Sequence, residues 1–372
     1  MRTLLLFWAL SVSIASAGAE LPRPKNVVVV ILENHGYEQI IGSSSAPYIN
    51  SLAGGKNTAL FTNFYAIEHP SQPNYLDLFS GANQGVTSDD LPQGIPFSSA
   101  NLASALIASG QTFATFSEDL PEMGSLVFAS EAYARKHNPA SYWQGTGTNQ
   151  LPPETNRPFS DFPQNYSLLP TVSFVVPNLE NDMHNGADPE RILRGDNWVR
   201  ENMDAYAQWA IENNGLLVIT FDEDDGCCGN RIPTLIVGER VQGGAYIDSY
   251  SLFSLLRTVE DMYGLTHSGA ASAASPLKGC WITSSAAADE LSNNNQLEVY
   301  PNPAIEFIEI CANISNICAK DMRIFDALGN EARLPVIASS ELDCLRVDVS
   351  SLPSGVYCAK CNSFAGTFVI FR

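Results

Sequence analysis

Basic side chains are scarce in this chain. Its 372 residues include 20 Lys and Arg against 40 Asp and Glu, a formal net charge of −20. Binding along a phosphate backbone needs a basic surface, so no nucleic-acid partner is expected. Charged residues of both signs make up only 16% of the chain and apolar residues 45%. That balance excludes a disordered chain and leaves a globular one with a substantial core. Beyond the N-terminus no segment approaches the roughly 18 continuous apolar residues of a membrane span, so none is expected in the mature chain. No internal repeat is present. With acids in such excess, an anion is received either in a local basic pocket or at a bound divalent cation, and the carboxylates leave ligands to hold one.

What is present begins with an export signal. Arg2 supplies the positive charge, residues 4–14 the apolar stretch, and Ala15-Ser16-Ala17 the cleavage site. Residues 1–17 therefore read as a signal peptide, too short for an anchor, with the mature chain starting at Gly18. A secreted or cell-surface protein is expected. The eight cysteines are then free to pair, and structural disulfides are expected. Cys227, Cys228 and Cys280 precede residue 281, and Cys311, Cys318, Cys344, Cys358 and Cys361 crowd the end. Neither group is even, so either one bridge joins the two regions or two thiols stay free. Cys358-Ala359-Lys360-Cys361 lacks the second pair or nearby His that zinc would need.

From residue 25 to about 283 apolar strand-like runs alternate with helical stretches. Strands are expected at 26–32, 112–116, 171–176, 216–221 and 232–237, and helices at 46–53, 73–79, 101–109, 194–213 and 249–263. Such alternation predicts an α/β domain with a parallel sheet covered on both faces. Residues 141–165 read as a long surface loop. Residues 284–295 are small and polar, a linker. Six or seven short strands follow between 296 and 372 and predict a small β-sandwich.

The chemistry-bearing residues sit where these runs stop. Ligand groups of open α/β sheets collect at the carboxyl ends of the strands. Glu33-Asn34-His35 follows the run at 27–32, and Asp222-Glu223-Asp224-Asp225 follows that at 216–221. Four successive acids repel unless solvated or occupied by a cation. Asp182-Met183-His184 follows the third run and puts two ligand types on one side of an extended segment. His69-Pro70-Ser71-Gln72-Pro73-Asn74-Tyr75 places a hydroxyl in a Pro-punctuated turn ahead of a helix. Pro73 suits the first helical turn, so Ser71 is expected near free backbone N–H groups where a phosphate binds. In isolation Ser71 also reads as an ordinary helix cap. His267 lies in a Gly-flanked loop.

Residues 26 to about 282 resemble the phosphoesterase family of the alkaline phosphatase superfamily, in the branch of bacterial secreted acid phosphatases that lies near the phospholipase C enzymes. The segments that carry the likeness are VVVVILENHGY (27–37), HPSQPNYLDLFSG (69–81), YARKHNP (133–139), VSFVVPNLENDMHNG (172–186), LVITFDEDD (217–225) and RIPTLIVG (231–238). The resemblance implies an alkaline-phosphatase-like α/β/α sandwich. It implies Ser71 as nucleophile, His184 and His267 as proton carriers, and His69, Asn74 and Asp182 as phosphate contacts. Glu33, Asn34, Asp222 and Glu223 would hold a divalent metal ion. Glu33 and Glu223 depart from the two-zinc pattern, so one ion among Ca²⁺, Mg²⁺, Mn²⁺ and Zn²⁺ is expected.

The tail is similar to the C-terminal sorting domain of type IX secretion through VYPNPA (299–304), FDALGN (325–330) and DVSSLPSGVY (348–357). This implies the type IX machinery as a partner. The expected function is a secreted acid phosphatase-like phosphomonoesterase that forms a phosphoserine. Its substrate would be a phosphorylated small molecule or a phosphoinositide. A phospholipase C-type phosphodiesterase and a non-catalytic surface-binding protein are the alternatives.

Overall fold

The computed structural model describes residues 21–282 and, in the tail, residues 297–311, 322–326, 329–332, 334, 336–338, 344–361, 364–370 and 372. The expected signal peptide and linker lie outside the described residues. The chain divides into two compact units, Met1–Thr283 and Ser284–Arg372.

The first unit is built on β1 (Asn26–Leu32), buried along its whole length and, after Asn26, an unbroken run of β-branched and aliphatic residues. Each such side chain contributes about 1.5–3 kcal/mol on burial, which suits a central strand. Its neighbours complete an eight-stranded sheet. They are β2 (Thr58–Phe61), β3 (Phe113–Ser117), β4 (Asn156–Pro158), β5 (Val172–Val176), β6 (Gly215–Phe221), β7 (Thr234–Gly238) and β8 (Gly244–Tyr246). The order across the sheet is β8-β2-β7-β6-β1-β5-β3-β4. β1 is parallel to both β5 and β6, with Val28 opposite Ser173 and Leu217.

The sheet is mixed rather than wholly parallel. β7 runs antiparallel to β6 and to β2. A parallel return needs a crossover of a dozen or more residues, usually helical. The link from β6 to β7 holds no helix, so the chain turns straight back. That link carries the acidic stretch, with Asp222, Glu223 and Asp224 buried at the end of a core strand and residues 225–229 exposed.

Among the described residues the α-helices are α1 (Tyr37–Ile40), α2 (Pro47–Ala53), α3 (Ser71–Ser80), α4 (Leu102–Ala108), α5 (Glu190–Glu212) and α6 (Leu252–Tyr263). α5 packs on β6, β7 and α2, and α3 packs with α4 and α6, giving an α/β/α sandwich. α3 ends at Gly81, whose φ of 70° is left-handed. A Cβ there would meet the Ser268 carbonyl oxygen at 2.2 Å, so glycine is required both for the turn and for the close approach. The segment 141–165, expected as an irregular loop, forms short 3₁₀ turns and the edge strand β4. Among the described residues no helix is long and apolar enough to cross a membrane.

In the second unit two four-stranded antiparallel sheets enclose one apolar cluster that includes Ile308, Ile310, Ile324, Val347 and Phe368.

Candidate active site

Three segments leave the same edge of the sheet and are sewn together by backbone bonds. The Glu33 N–H donates to the Asp182 carbonyl at 2.8 Å, and the Asp222 N–H to the Leu32 carbonyl at 3.0 Å. Asn34 takes a positive φ of 51°, which Asn tolerates better than most residues. Its N–H thereby reaches Asp222 Oδ1 at 3.2 Å. The ends of β1, β5 and β6 thus deliver Glu33, Asp182, Asp222 and Glu223 to one place, each no more than 4% exposed.

Ser71 opens α3 below these acids. Its hydroxyl donates to Glu33 Oε1 at 2.7 Å and to Glu223 Oε1 at 2.9 Å. It is 1% exposed, so it is not the surface hydroxyl that a Pro-rich turn suggests. The helix start offers little to an anion. The Gln72 N–H is spent on Asp89 Oδ1 at 3.0 Å, and Pro73 has no N–H.

Asn74, expected at the phosphate, has its side chain engaged within its own loop. Its carbonyl oxygen accepts from the Ile67 and Glu68 N–H groups, and its amide donates to the Glu68 and Pro70 carbonyls. Every donor and acceptor it has is used to shape the loop that carries His69. His69 Nδ1 meets Glu223 Oε2 at 2.5 Å, and its Nε2 faces Asp224 Oδ1 at 3.3 Å.

The cations that hold this cluster include two that follow no strand of the sheet, Lys136 and His137. They lie in a 3₁₀ turn, Arg135–His137, inside the segment YARKHNP. Arg135 anchors the turn from beneath: its guanidinium donates to the Ser141 hydroxyl, the Ser141 carbonyl and the Leu126 carbonyl. Asn138 ties the other end to Asn156 Oδ1 at 2.8 Å. His137 Nε2 lies 2.6 Å from Glu33 Oε2, and Nδ1 lies 3.3 Å from Asp182 Oδ2. Its ring stacks on Tyr75, with centroids 4.9 Å apart. Lys136 Nζ sits 2.8 Å from Asp89 and 3.5 Å from Glu33.

These contacts set the charges. Burial alone would raise the Glu33 carboxyl, but His137, then Lys136 and His184, hold it well below the usual carboxylate range. Burial would lower His137, and Glu33 and Asp182 outweigh it, pushing the imidazole up to about 10. Asp182 is raised to about 6, by burial first. Asp222 is pushed well up by burial and by the neighbouring Glu33 and Glu223 charges, and Glu223 is raised mainly by burial.

The donor set fits a divalent cation. Glu33, His137 and Asp222 each offer a ligand atom, all within 4.8 Å of one another. Asp222 Oδ2 is buried without a hydrogen-bond partner. Glu33 Oε2 and His137 Nε2 approach at 2.6 Å yet lack hydrogen-bond alignment, so the short distance marks an ion pair whose lone pairs are not satisfied by each other. Buried polar atoms left this way call for a missing partner. A second acid–cysteine group, Asp224 with Cys227 and Cys228, does not fit a metal, because the two sulfurs are bonded to each other. The vicinal bond explains the uneven cysteine count of this region: two cysteines pair locally and Cys280 stays a buried free thiol.

A cleft of about 410 Å³ opens onto the cluster, lined by Asn34, His69, Pro70, His184, Arg191 and Glu223 among others. His184 Nε2 stands 3.8 Å from Glu33 Oε1. A larger hollow of about 540 Å³ lies at Phe113, Phe116 and Leu169 and touches none of the clustered acids. The structure does not bring His267 to the site. Its Nε2 bonds Asp261 Oδ1 at 2.7 Å, beside Gly81 and Ser268 at the far end of α3. Ten residues of helix, about 15 Å, separate that end from Ser71.

Comparisons with known proteins bear on the family. The phosphoesterase family profile matches residues 43–266, and that of the secretion system C-terminal sorting domain residues 298–369. Phosphatidylinositol-3-phosphatase of Mycobacterium tuberculosis is 44% identical over 285 residues, 75% of this chain and 90% of that protein. The phosphate-repressible acid phosphatase of Penicillium chrysogenum is 28% identical and covers 58% of this chain and 54% of its own length. Acid phosphatase of Aspergillus fumigatus is also 28% identical, covering 64% and 55%. The chain thus spans little more than half of these two fungal relatives. Among solved structures, a protein in the alkaline phosphatase superfamily from Vibrio parahaemolyticus is 12% identical and covers 86% of this chain and 84% of that one, with a TM-score of 0.48.

Proposed function

The chain belongs to the phosphoesterase family, and on that premise we propose that it is an exported phosphomonoesterase that works through a phosphoserine on Ser71. The observation that carries this reading is the Ser71 hydroxyl held between two buried carboxylates, Glu33 at 2.7 Å and Glu223 at 2.9 Å, the second of which lines the cleft.

Glu33, held low by His137, is a weak base, while Glu223, raised by burial, is the better proton acceptor. As Ser71 Oγ swings off Glu33 and attacks phosphorus in line, Glu223 takes its proton. His69 holds Glu223 in place through Nδ1. His184 faces the cleft and gives the departing alcohol oxygen its proton. Water then cleaves the phosphoserine, with His184 taking a proton and Glu223 returning one to Ser71. His137 and Asp182 stay behind Glu33 and fix its direction. A divalent cation held by Glu33 and Asp222, with Asn34 and Glu223 adjacent, would supply neutralising charge to the phosphoryl oxygens.

The relative named phosphatidylinositol-3-phosphatase supports a phosphorylated polyol head group as substrate, and the tail supports export through a type IX system. Assays on p-nitrophenyl phosphate and on phosphatidylcholine test the reading. Phosphate release from the first and no cleavage of the second is expected. Cleavage of phosphatidylcholine alone would replace it with the phospholipase C-type alternative.

A further inference from the structure

Cys227 and Cys228 are neighbours in sequence and are bonded to each other, with Cα atoms 3.8 Å apart. They lie exposed in the loop between β6 and β7. That loop is wound around one buried carboxylate. Asp224 accepts the N–H groups of Gly226 at 2.7 Å, Cys228 at 2.9 Å and Asn230 at 2.7 Å. Asn230 returns the contact by accepting the Asp224 N–H at 3.0 Å and donates to the Glu68 carbonyl at 2.9 Å. The Ala66 N–H donates to the Asn230 carbonyl at 3.0 Å. The loop is therefore stitched to the segment that carries His69 and enters α3 at Ser71. Asp224 Oδ1 faces His69 Nε2 at 3.3 Å, His69 Nδ1 meets Glu223 at 2.5 Å, and Glu223 accepts Ser71 at 2.9 Å. A continuous path runs from the disulfide to the hydroxyl. On its other side Cys228 rests on Gly36, whose added Cβ would meet Sγ at 3.4 Å, two residues past Asn34.

We propose that the Cys227–Cys228 bond is a positioning element for the reaction, and that its dithiol form turns over slowly. The bond restricts the backbone at 227–228 and so keeps the Cys228 N–H on Asp224. Without it the loop has more conformations to lose each time Asp224, His69 and Glu223 align under Ser71. The bond forms by exchange: the two thiols and an external disulfide give the vicinal disulfide and two external thiols, two electrons and two protons passing to the oxidant. Chains still in a reducing cytosol would then be slow, and chains exported to an oxidising compartment would be active. The inference rests on the phosphomonoesterase reading.

The test uses the full purified chain with p-nitrophenyl phosphate, before and after dithiothreitol, with thiols at 227 and 228 counted by mass. Reduction is expected to lower kcat on the order of 10-fold to 100-fold with little change in KM, and re-oxidation to restore it. The double variant Cys227→Ser with Cys228→Ser is expected to show the low kcat in both conditions. Full turnover by reduced chain carrying both thiols, or by the double variant, overturns the proposal while leaving the phosphomonoesterase reading intact. An equal loss in the variant on reduction also overturns it, because the sensitive bond then lies elsewhere. No hydrolysis by oxidised wild type would instead remove the phosphomonoesterase reading and the proposal with it.

Discussion

Replacing His137 by Gln removes the cation on which two buried carboxylates converge. Glu33 and Asp182 are both fully buried, and His137 lies 2.6 Å and 3.3 Å from their oxygens. Removing one partner of a buried pair costs about 3–5 kcal/mol, because the other charge is left uncompensated. The lost stack on Tyr75, at 4.9 Å between centroids, adds about 0.5–1.5 kcal/mol. Together these lower the melting temperature of a domain of this size by about 10–20 °C. The pH dependence has a definite sign. His137 is raised to about 10, so its contribution is complete below the unfolded value of about 6.5 and is lost as pH rises towards 10. Glu33 is lowered, so its contribution is complete above the unfolded value of about 4.3 and is lost as pH falls through the folded value. The gap between wild type and His137→Gln should therefore be widest from about pH 4.3 to 6.5 and shrink on both sides. Thermal unfolding followed by circular dichroism in chelator, across pH, measures it. A gap under about 1 kcal/mol at pH 5.5, or one that widens towards pH 10, would refute the charge assignment. Adding a divalent cation should recover part of the loss in the variant by binding only the folded state.

Asp222→Asn should lower bound metal and phosphate release together, since Asp222 Oδ2 is the unsatisfied buried ligand atom; elemental analysis beside a rate assay reads both, and full activity with metal content unchanged speaks against the site. His267→Gln should leave kcat and KM unchanged, because His267 pairs with Asp261 at the far end of α3; a large fall in kcat would put it back in the mechanism. Asp77, buried in α3, is raised to about 8 by burial and by Glu68, so the folded state keeps a proton that the unfolded state releases, and stability falls as pH rises from about 4 to 8. Asp77→Asn should flatten that slope and stabilise the chain at pH 8 by on the order of 2 kcal/mol once solvent screening is discounted, which denaturant titrations at pH 5 and pH 8 measure.

The central strands were legible because burial on both faces leaves an apolar run with few other readings, and β1 and β6 fall at or within a residue of where such runs predict. The acids after them follow from the same rule, and the structure gathers Glu33, Asp222 and Asp182 at one edge. His137 was missed because it sits in a 3₁₀ turn with no apolar period and follows no strand of the sheet. The signal available was Arg-Lys-His together in a chain poor in bases. The bonds that Asn74 makes within its own loop were not legible, because a sequence does not show where an amide spends its hydrogen bonds. His267 entered through the resemblance alone, which does not show which end of α3 it faces; the structure pairs it with Asp261. The expected parallel sheet fails at β7, because its apolar run reads the same in either direction and only the helix-free link before it carries the difference. The vicinal bond escaped because counting cysteines by region assumes distant partners.

The most direct measurement is to quench turnover of a phosphomonoester in acid and to map phosphate on the chain by mass spectrometry. Phosphate on Ser71 in the wild type, absent in Ser71→Ala together with a loss of at least about 10³-fold in phosphate release, is the expected result. Rapid turnover with no phosphate at Ser71, and near-normal release by Ser71→Ala, would mean that water attacks phosphorus directly and would contradict the account.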